Sequence, residues 1–118
     1  MSQYSSNQFK PNDAWLMLYL PLQGQAVYFL IDVASEYIFG NILTSGEIPS
    51  ELEVIKLMKK AFSAKRKWPK KIFLSRDNPA KESFERCAIK NNIQVETEPL
   101  TDLMRITKMI KKLVAAFL

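Results

Sequence analysis

The sequence predicts one α/β domain in which a mixed five-stranded sheet is flanked by helices, with the element order βββαβαβα. Three β-rich apolar stretches follow one another through short polar breaks, and two strand–helix repeats come after a first helix. Strands joined by tight turns pair antiparallel, whereas strands joined through a helix pair parallel. Right-handed crossovers then place helices on both faces of the sheet.

The three N-terminal stretches have the composition of strands. They cover Trp15–Leu20, Ala26–Ala34 and Tyr37–Thr44. Pro21–Gly24 and Ser35–Glu36, which separate them, are rich in turn-forming residues. The first half of the domain is therefore expected to be an antiparallel meander.

The second half alternates helices with strands. Ser50 and Glu53 have the spacing of a capping box, so a helix is expected to begin there. Apolar residues then recur at helical spacing and leave the lysines on the outer face. Further along, the pattern predicts a strand at Lys71–Ser75, a helix at about Pro79–Asn91, a strand at Ile93–Glu96 and a last helix at Thr101–Leu118.

Length and composition bound the organisation of the chain. Its 118 residues, 47% of them hydrophobic, suffice for one domain that buries its own core without a metal or disulfides. We assign the polar residues 1–13 to a flexible tail and residues 14–118 to a single domain.

Composition also excludes several kinds of catalysis. The chain has no histidine, which removes His-based acid–base chemistry and both Ser-His-Asp and Cys-His nucleophiles. Its single cysteine, Cys87, cannot form an intrachain disulfide and is expected to be a small buried side chain. No long apolar run without charges occurs, so we expect a cytoplasmic protein that does not span a membrane.

Two stretches resemble the catalytic core of retroviral-type integrases and DDE transposases. Ile31–Ser35 followed by Gly40 is similar to an integrase strand that ends in Asp-x-x-Ser, with a glycine five residues beyond the serine. Pro69–Pro99 begins with Pro-x-x-Ile and continues through Ser75–Asn78 to a helix with Phe and Cys toward the core. The resemblance spans about Trp15 to Pro99 and implies a ribonuclease H-like fold. Bacterial domains of this fold with the same Pro-x-x-Ile strand are similar as well.

The resemblance implies a site in which three or four carboxylates hold two metal ions, because the ions must stabilise both the attacking and the leaving oxygen. Only Asp77 matches an acidic position of that pattern. The stretch after Trp15, where the first aspartate is expected, is Leu16–Leu20, and the third position falls near residues 112–114, which include no acid. One carboxylate cannot hold a metal pair. We therefore expect no catalytic residues, no metal and no cofactor, and a domain that is not an enzyme.

An alternative alignment, similar to resolvase-like members of the fold, makes Asp32 the first-strand carboxylate. Asp77 then lies beside it, and Asp102 or Glu98 completes the set. This alignment requires one fewer strand before the first helix and predicts a metal-dependent nuclease or strand-transfer enzyme. Otherwise Asp32 and Asp77 are interpreted as turn or cap residues.

Positive charge is concentrated in one segment. Residues 1–53 carry a net charge of −5, residues 54–76 carry +9 and residues 77–118 carry +1. Uncompensated cations favour an anionic partner, and Lys and Arg bind phosphates by releasing counterions. We predict a sequence-nonspecific nucleic-acid contact through Lys59, Lys60, Lys65, Arg66, Lys67, Trp68, Lys70 and Lys71, with Trp68 stacking on a base. The alternative is a solvated surface with Trp68 folded inward.

The last helix has a continuous apolar seam, formed by Leu103, Ile106, Ile110, Leu113 and Phe117. Packing on the sheet is the first expectation for this seam. Further apolar positions widen it, so it is also a candidate interface for a protein partner or a second copy. The expected function is thus a non-catalytic domain that binds a nucleic-acid backbone. The alternatives are a protein-interaction or accessory module that uses this helix, or a metal-dependent enzyme.

Overall fold

The computed structural model describes residues 8–45, 48–97 and 103–117, without the side chains of Leu22, Leu103, Met104, Val114 and Phe117. It has the predicted element order. The elements are β1 (Ala14–Leu22), β2 (Gln25–Asp32), β3 (Ile38–Thr44), α1 (Glu51–Lys65), β4 (Lys71–Leu74), α2 (Lys81–Lys90), β5 (Gln94–Glu96) and α3 (Leu103–Phe117).

The five strands form one mixed sheet in the order β3-β2-β1-β4-β5. β1 pairs antiparallel with β2, which pairs antiparallel with β3, whereas β1–β4 and β4–β5 are parallel. The central strand β1 thus joins the meander to the strand–helix half. This confirms the mixed five-stranded sheet expected from the sequence.

Side chains of β1 alternate between two buried faces, as the twofold repeat of a strand requires. Trp15 and Met17 belong to the core under α1 and α2, whereas Leu16 and Leu18 belong to a second core that includes Ile106 of α3. Burial on both faces explains why β1 reads as a nearly continuous apolar run.

Local sequence signals set the ends of several elements. A two-residue turn joins β1 to β2, and Gly24 takes a φ of 69° there, a left-handed conformation that favours glycine. Ser50 Oγ accepts the Glu53 N–H and the Glu53 carboxylate accepts the Ser50 N–H, which confirms the capping box at the start of α1. Gly40 lies within β3, where a Cβ atom would come 3.0 Å from the Leu57 side chain of α1, so a larger residue would require Leu57 to shift.

The helix after β4 begins later than the sequence predicted. Asn78 Oδ1 accepts the Ala80 N–H at 2.8 Å, and the Asn78 N–H donates to the Ser75 carbonyl. This Asn-centred turn takes up residues before α2, which therefore begins at Lys81 rather than Pro79.

Residues 8–13, which the sequence assigned to a flexible tail, are attached to the domain. Phe9 packs edge-on against Phe73 at 5.7 Å between ring centroids, and Trp15 Nε1 donates to Asn12 Oδ1 at 2.8 Å. A single aromatic side chain and a side-chain amide thus join this polar segment to the domain. Residues 1–7 lie outside the described part of the chain.

Candidate functional site

A cleft of about 410 Å³ lies at the carboxyl ends of the parallel strands β1 and β4. Its β1 wall is mainly apolar and includes Leu16, Leu18, Leu20 and Pro21. Polar groups come from the turn after β4 and from α3, namely Ser75, Arg76, Asp77, Thr107 and Lys111. The carboxyl ends of parallel strands are where α/β sheets place ligands, so this cleft is the first place to look for a site.

The two aspartates of interest lie near opposite ends of β1. Asp77 is exposed and lines the cleft beside Leu20, whereas Asp32 pairs with Trp15. Trp15 and Leu20 are five residues apart, about 16 Å along an extended strand. Asp32 is fully buried and accepts the Asn12 N–H at 2.8 Å, the Ser35 N–H at 3.1 Å and the Ser35 hydroxyl at 2.5 Å.

These positions contradict the alternative alignment in which Asp32 and Asp77 share a site. Three strands precede α1, one more than that alignment requires. Asp32 instead holds the turn after β2, as its interpretation as a turn residue predicted. Glu98 and Asp102 lie outside the described residues. Within the described ranges, no three Asp, Glu or Cys side chains form a group suited to a metal ion.

The basic segment covers the end of α1 and the loop into β4. Six of its cations are exposed and make no ion pair with a described residue: Lys59, Lys60, Lys65, Arg66, Lys67 and Lys70. The Lys65 ammonium lies 5.9 Å from the ring centroid of Tyr37, within the range of a cation–π contact. Lys71 differs from the six because it pairs with Glu96 of β5 at 3.6 Å.

Backbone hydrogen bonds fix the basic loop to the N-terminal segment. The Lys70 and Lys71 N–H groups donate to the Asp13 carbonyl at 2.9 and 3.2 Å. The Asn12 side-chain amide donates to the Lys67 carbonyl at 2.9 Å, while the Asn12 N–H donates to Asp32. The buried carboxylate of Asp32 thereby positions the loop through Asn12.

Trp68 is packed inward. Its ring stacks on Phe62 at 4.6 Å between centroids and contacts Trp15 at 5.9 Å. The half-buried indole therefore has its Phe62 side covered. This arrangement matches the alternative in which Trp68 folds into the core, and stacking of a base on Trp68 stays a prediction.

The chain was compared with known sequences and with solved structures. Neither a known protein family nor a curated protein sequence matches it. The chain is similar to the HTLV-2 integrase catalytic core domain, solved in complex with magnesium in a dimeric form, with a TM-score of 0.61. Identity is 17% over 92% of this chain and 73% of that chain.

A second similar structure is a chain of the simian T-cell lymphotropic virus intasome in complex with the PP2A regulatory subunit B56 gamma. The TM-score is again 0.61 with 17% identity, and the match covers 92% of this chain but 42% of that one. The chain has the ribonuclease H-like fold of integrase catalytic cores. The expectation drawn from the two sequence stretches is thus confirmed for the fold.

The ribonuclease H-like fold gives α3 a packing role. Ile106 and Ile110 of the predicted partner seam are fully buried against the sheet of the same chain, so they cannot serve as a partner surface. Leu113, in contrast, is 46% exposed. The side chains of Leu103 and Phe117 lie outside the described part of the chain. Arg105 of α3 also pairs with Glu36 in the turn before β3, at 2.6 Å.

Sequence reasoning missed a second cleft, of about 380 Å³, between α1 and α2. Besides Lys59 and Trp68 it is lined by Arg86 and Lys90, which occur one helical turn apart on α2. That spacing places both cations on one face of α2 and was the available signal in the sequence. It was missed because acidic residues on the same helix lower its net charge. None of the described helices is long and apolar enough to cross a membrane.

Proposed function

We propose that this domain is a non-catalytic ribonuclease H-like module that binds a nucleic-acid backbone through the end of α1 and the loop that follows it. The observation that carries the proposal is the set of six exposed cations that lack a carboxylate partner among the described residues. Such cations gain free energy when they replace the counterions condensed on a polyanion.

Hydrogen bonds also hold the loop in place for such a contact. Its carbonyl and N–H groups bond to Asn12 and Asp13, so less conformational freedom is lost on binding than for a mobile basic tail. Trp68 contributes by supporting the loop from below, on Phe62 and Trp15. Binding through phosphates alone predicts little preference among base sequences.

The absence of catalysis is part of the proposal. A metal pair needs several carboxylates converging on one point, and the cleft beside Asp77 has leucines along β1 and Lys111 on α3. Labelled DNA incubated with Mg²⁺ or Mn²⁺ is expected to stay intact. A product that forms with the natural chain and disappears in Asp77→Ala would overturn this part of the proposal.

The binding part is tested by fluorescence anisotropy with a labelled DNA duplex across a series of salt concentrations. Affinity is expected to fall steeply with salt, and the variant Lys67→Gln/Lys70→Gln is expected to reduce the slope of log K against log salt by about two. Lys108→Gln/Lys112→Gln on α3 is the matched control, because both lysines are exposed and the change in net charge is the same. Equal effects of the two pairs, or an affinity insensitive to salt, would contradict a localised backbone contact.

Leu113 supports a second candidate, a protein-interaction or accessory module. It is the described member of the α3 seam that remains exposed, and the similar integrases were solved as a dimeric form and within a larger assembly. Size-exclusion chromatography with light scattering tests self-association. A concentration-dependent dimer that Leu113→Glu abolishes would support this candidate, and a strict monomer would argue against a homodimer.

A further inference from the structure

The cleft between α1 and α2 combines cations with an apolar wall. α1 contributes Glu51, Ile55 and Lys59, which are spaced by four residues and therefore lie on one face of the helix. α2 contributes Arg86 and Cys87 and, one turn later, Lys90 and Asn91. Trp68 from the loop completes the lining. At about 380 Å³, the cleft is in the size range of small-molecule sites, ~300–1,000 Å³.

An ion pair joins α1 to α2 along the cleft. Arg86 Nε donates to Glu51 Oε1 at 2.8 Å, and Arg86 Nη2 donates to Ser83 Oγ at 3.3 Å. The hydrogen bond from Arg86 lowers the pKa of Glu51, so this carboxylate stays charged and neutralises the guanidinium. Lys59 and Lys90 have no such partner among the described residues and give the cleft its excess positive charge.

The two lysines line the cleft together with Cys87, which is buried, with 8% of its surface exposed. Burial raises the pKa of Cys87, while Lys90 and Lys59 both act on its thiol in the opposite direction. The thiol is neutral at physiological pH and does not repel an anion. The cleft therefore combines a neutral thiol with two ammonium groups from different helices.

We propose that this cleft binds a phosphate monoester that carries an aromatic group, of the size of a nucleoside monophosphate. Lys59 and Lys90 contact the phosphate, and Ile55 with the half-buried Trp68 contacts the ring. Two cations on one phosphate form charge-assisted hydrogen bonds, which are about twice as strong as neutral ones. The half-buried Ile55 and Trp68 provide an apolar surface. An aromatic group on the ligand would contact this surface, whereas inorganic phosphate would not.

This site goes beyond the proposed backbone contact. It shares Lys59 with the basic segment but does not include Lys67 or Lys70. Its phosphate could belong to a free nucleotide or to the 5′ end of a strand, since the chemistry in the cleft is the same for both.

NMR titration of the ¹⁵N-labelled chain tests the site, with AMP, adenosine and inorganic phosphate as probes. AMP is expected to shift amide signals of residues 51–59 and 86–91 and to bind more tightly than either fragment. Lys59→Gln/Lys90→Gln is expected to weaken AMP binding at least about tenfold, as expected for the loss of charged contacts to phosphate. The matched control, Lys56→Gln/Lys108→Gln, removes two exposed lysines outside the cleft and is expected to leave AMP binding unchanged.

Several outcomes would overturn the site: no shifts with AMP, adenosine binding as tightly as AMP, or equal weakening by the control variant. Competition between AMP and a 5′-phosphorylated oligonucleotide, but not its 5′-hydroxyl form, supports the site and assigns it to strand ends. AMP binding without such competition supports it as a site for a free nucleotide. If AMP does not bind while the duplex still binds, the nucleotide site is overturned and the proposed backbone contact is not. AMP binding retained in Lys67→Gln/Lys70→Gln, with the salt slope of duplex binding reduced, would separate the two contacts.

Discussion

The two ends of β1 are built differently. At the Trp15 end, a fully buried carboxylate, Asp32, has three hydrogen-bond donors, and the polar segment at Asn12 joins it to the basic loop. At the Leu20 end, an apolar wall faces a single exposed carboxylate, Asp77, which has no hydrogen-bond or ion-pair partner among the described residues. Both ends contain an aspartate, yet only Asp32 is buried and hydrogen-bonded.

The difference shows that an acidic residue acquires its role from the donors around it. Asp32 is surrounded by N–H and O–H groups and is therefore a positioning residue for the turn after β2 and for the loop beyond α1. Asp77 lines the cleft at the other end of the strand, where its neighbours on β1 offer no further carboxylate. The hydrogen-bonded polar groups thus lie at the Trp15 end of β1, beside the basic loop.

The largest expected effect comes from placing a charge at the apolar end. Leu18 is 7% exposed, so Leu18→Asp buries a carboxylate without a partner and is expected to lower the free energy of unfolding by about 4 kcal/mol. Leu43→Asp is the control, because Leu43 is 59% exposed and the same change there is expected to cost less than about 1 kcal/mol. Urea unfolding followed by circular dichroism measures both. Similar losses would mean that the cleft wall is wetter than its burial indicates.

Removing the two aspartates compares the ends directly. Asp32→Ala leaves the Asn12 and Ser35 donors without their acceptor and is expected to cost about 3 kcal/mol. Asp77→Ala removes an exposed side chain and is expected to change the free energy of unfolding by less than about 0.5 kcal/mol. The same urea experiment checks both variants. If Asp77→Ala proved as costly as Asp32→Ala, the contrast between the ends would be lost.

Asn12→Ala tests whether the polar end holds the basic loop. The change removes the bonds to Trp15 Nε1 and the Lys67 carbonyl, and it places alanine at a φ of 66°, so a cost of about 2 kcal/mol is expected. Hydrogen exchange should accelerate at the Lys70 and Lys71 amides, which bond to Asp13. Amides of β1 at the Leu20 end serve as internal controls. Unchanged exchange in the loop would show that Asn12 does not position it.

The smallest effect is a stabilisation at the entry to the loop. Arg66 caps the C-terminus of α1 with a φ of 59°, a conformation that favours glycine. Arg66→Gly is expected to raise the free energy of unfolding by about 1 kcal/mol, whereas Lys65→Gly, within the helix, is expected to lower it by a similar amount. The salt slope of duplex binding should fall by about one in either variant. Destabilisation by Arg66→Gly would indicate that the side chain contributes more than its backbone conformation costs.

Local signals predicted most of the fold. Ser50 and Glu53 marked the start of α1, and the β-rich apolar run after Trp15 indicated a strand. The later start of α2 was not predicted, because Asn78 forms a turn that periodicity does not reveal. Charge counting located the basic segment but could not show that Asn12 and Asp13 fix its loop, since these contacts join residues far apart in sequence.

The candidate sites were harder to predict than the fold. Trp68 stands among lysines in the sequence, which favoured a nucleic-acid platform, but only the tertiary structure brings Phe62 and Trp15 against it. Lys59 and Lys90 belong to different helices, so their convergence on one cleft depends on how α1 packs beside α2. Side-chain composition can indicate what a surface carries, while the packing of elements decides which groups meet.

Trp15 and Trp68 are the only tryptophans in the sequence, and they lie in one aromatic group with ring centroids 5.9 Å apart. Tryptophan fluorescence of this protein is therefore a local signal from one region of the molecule. Nucleotides entering beside Trp68 should alter the emission directly, whereas opening of the α3 side should leave the spectrum nearly unchanged. Tryptophan emission can thus report on binding in the α1–α2 cleft without an added label.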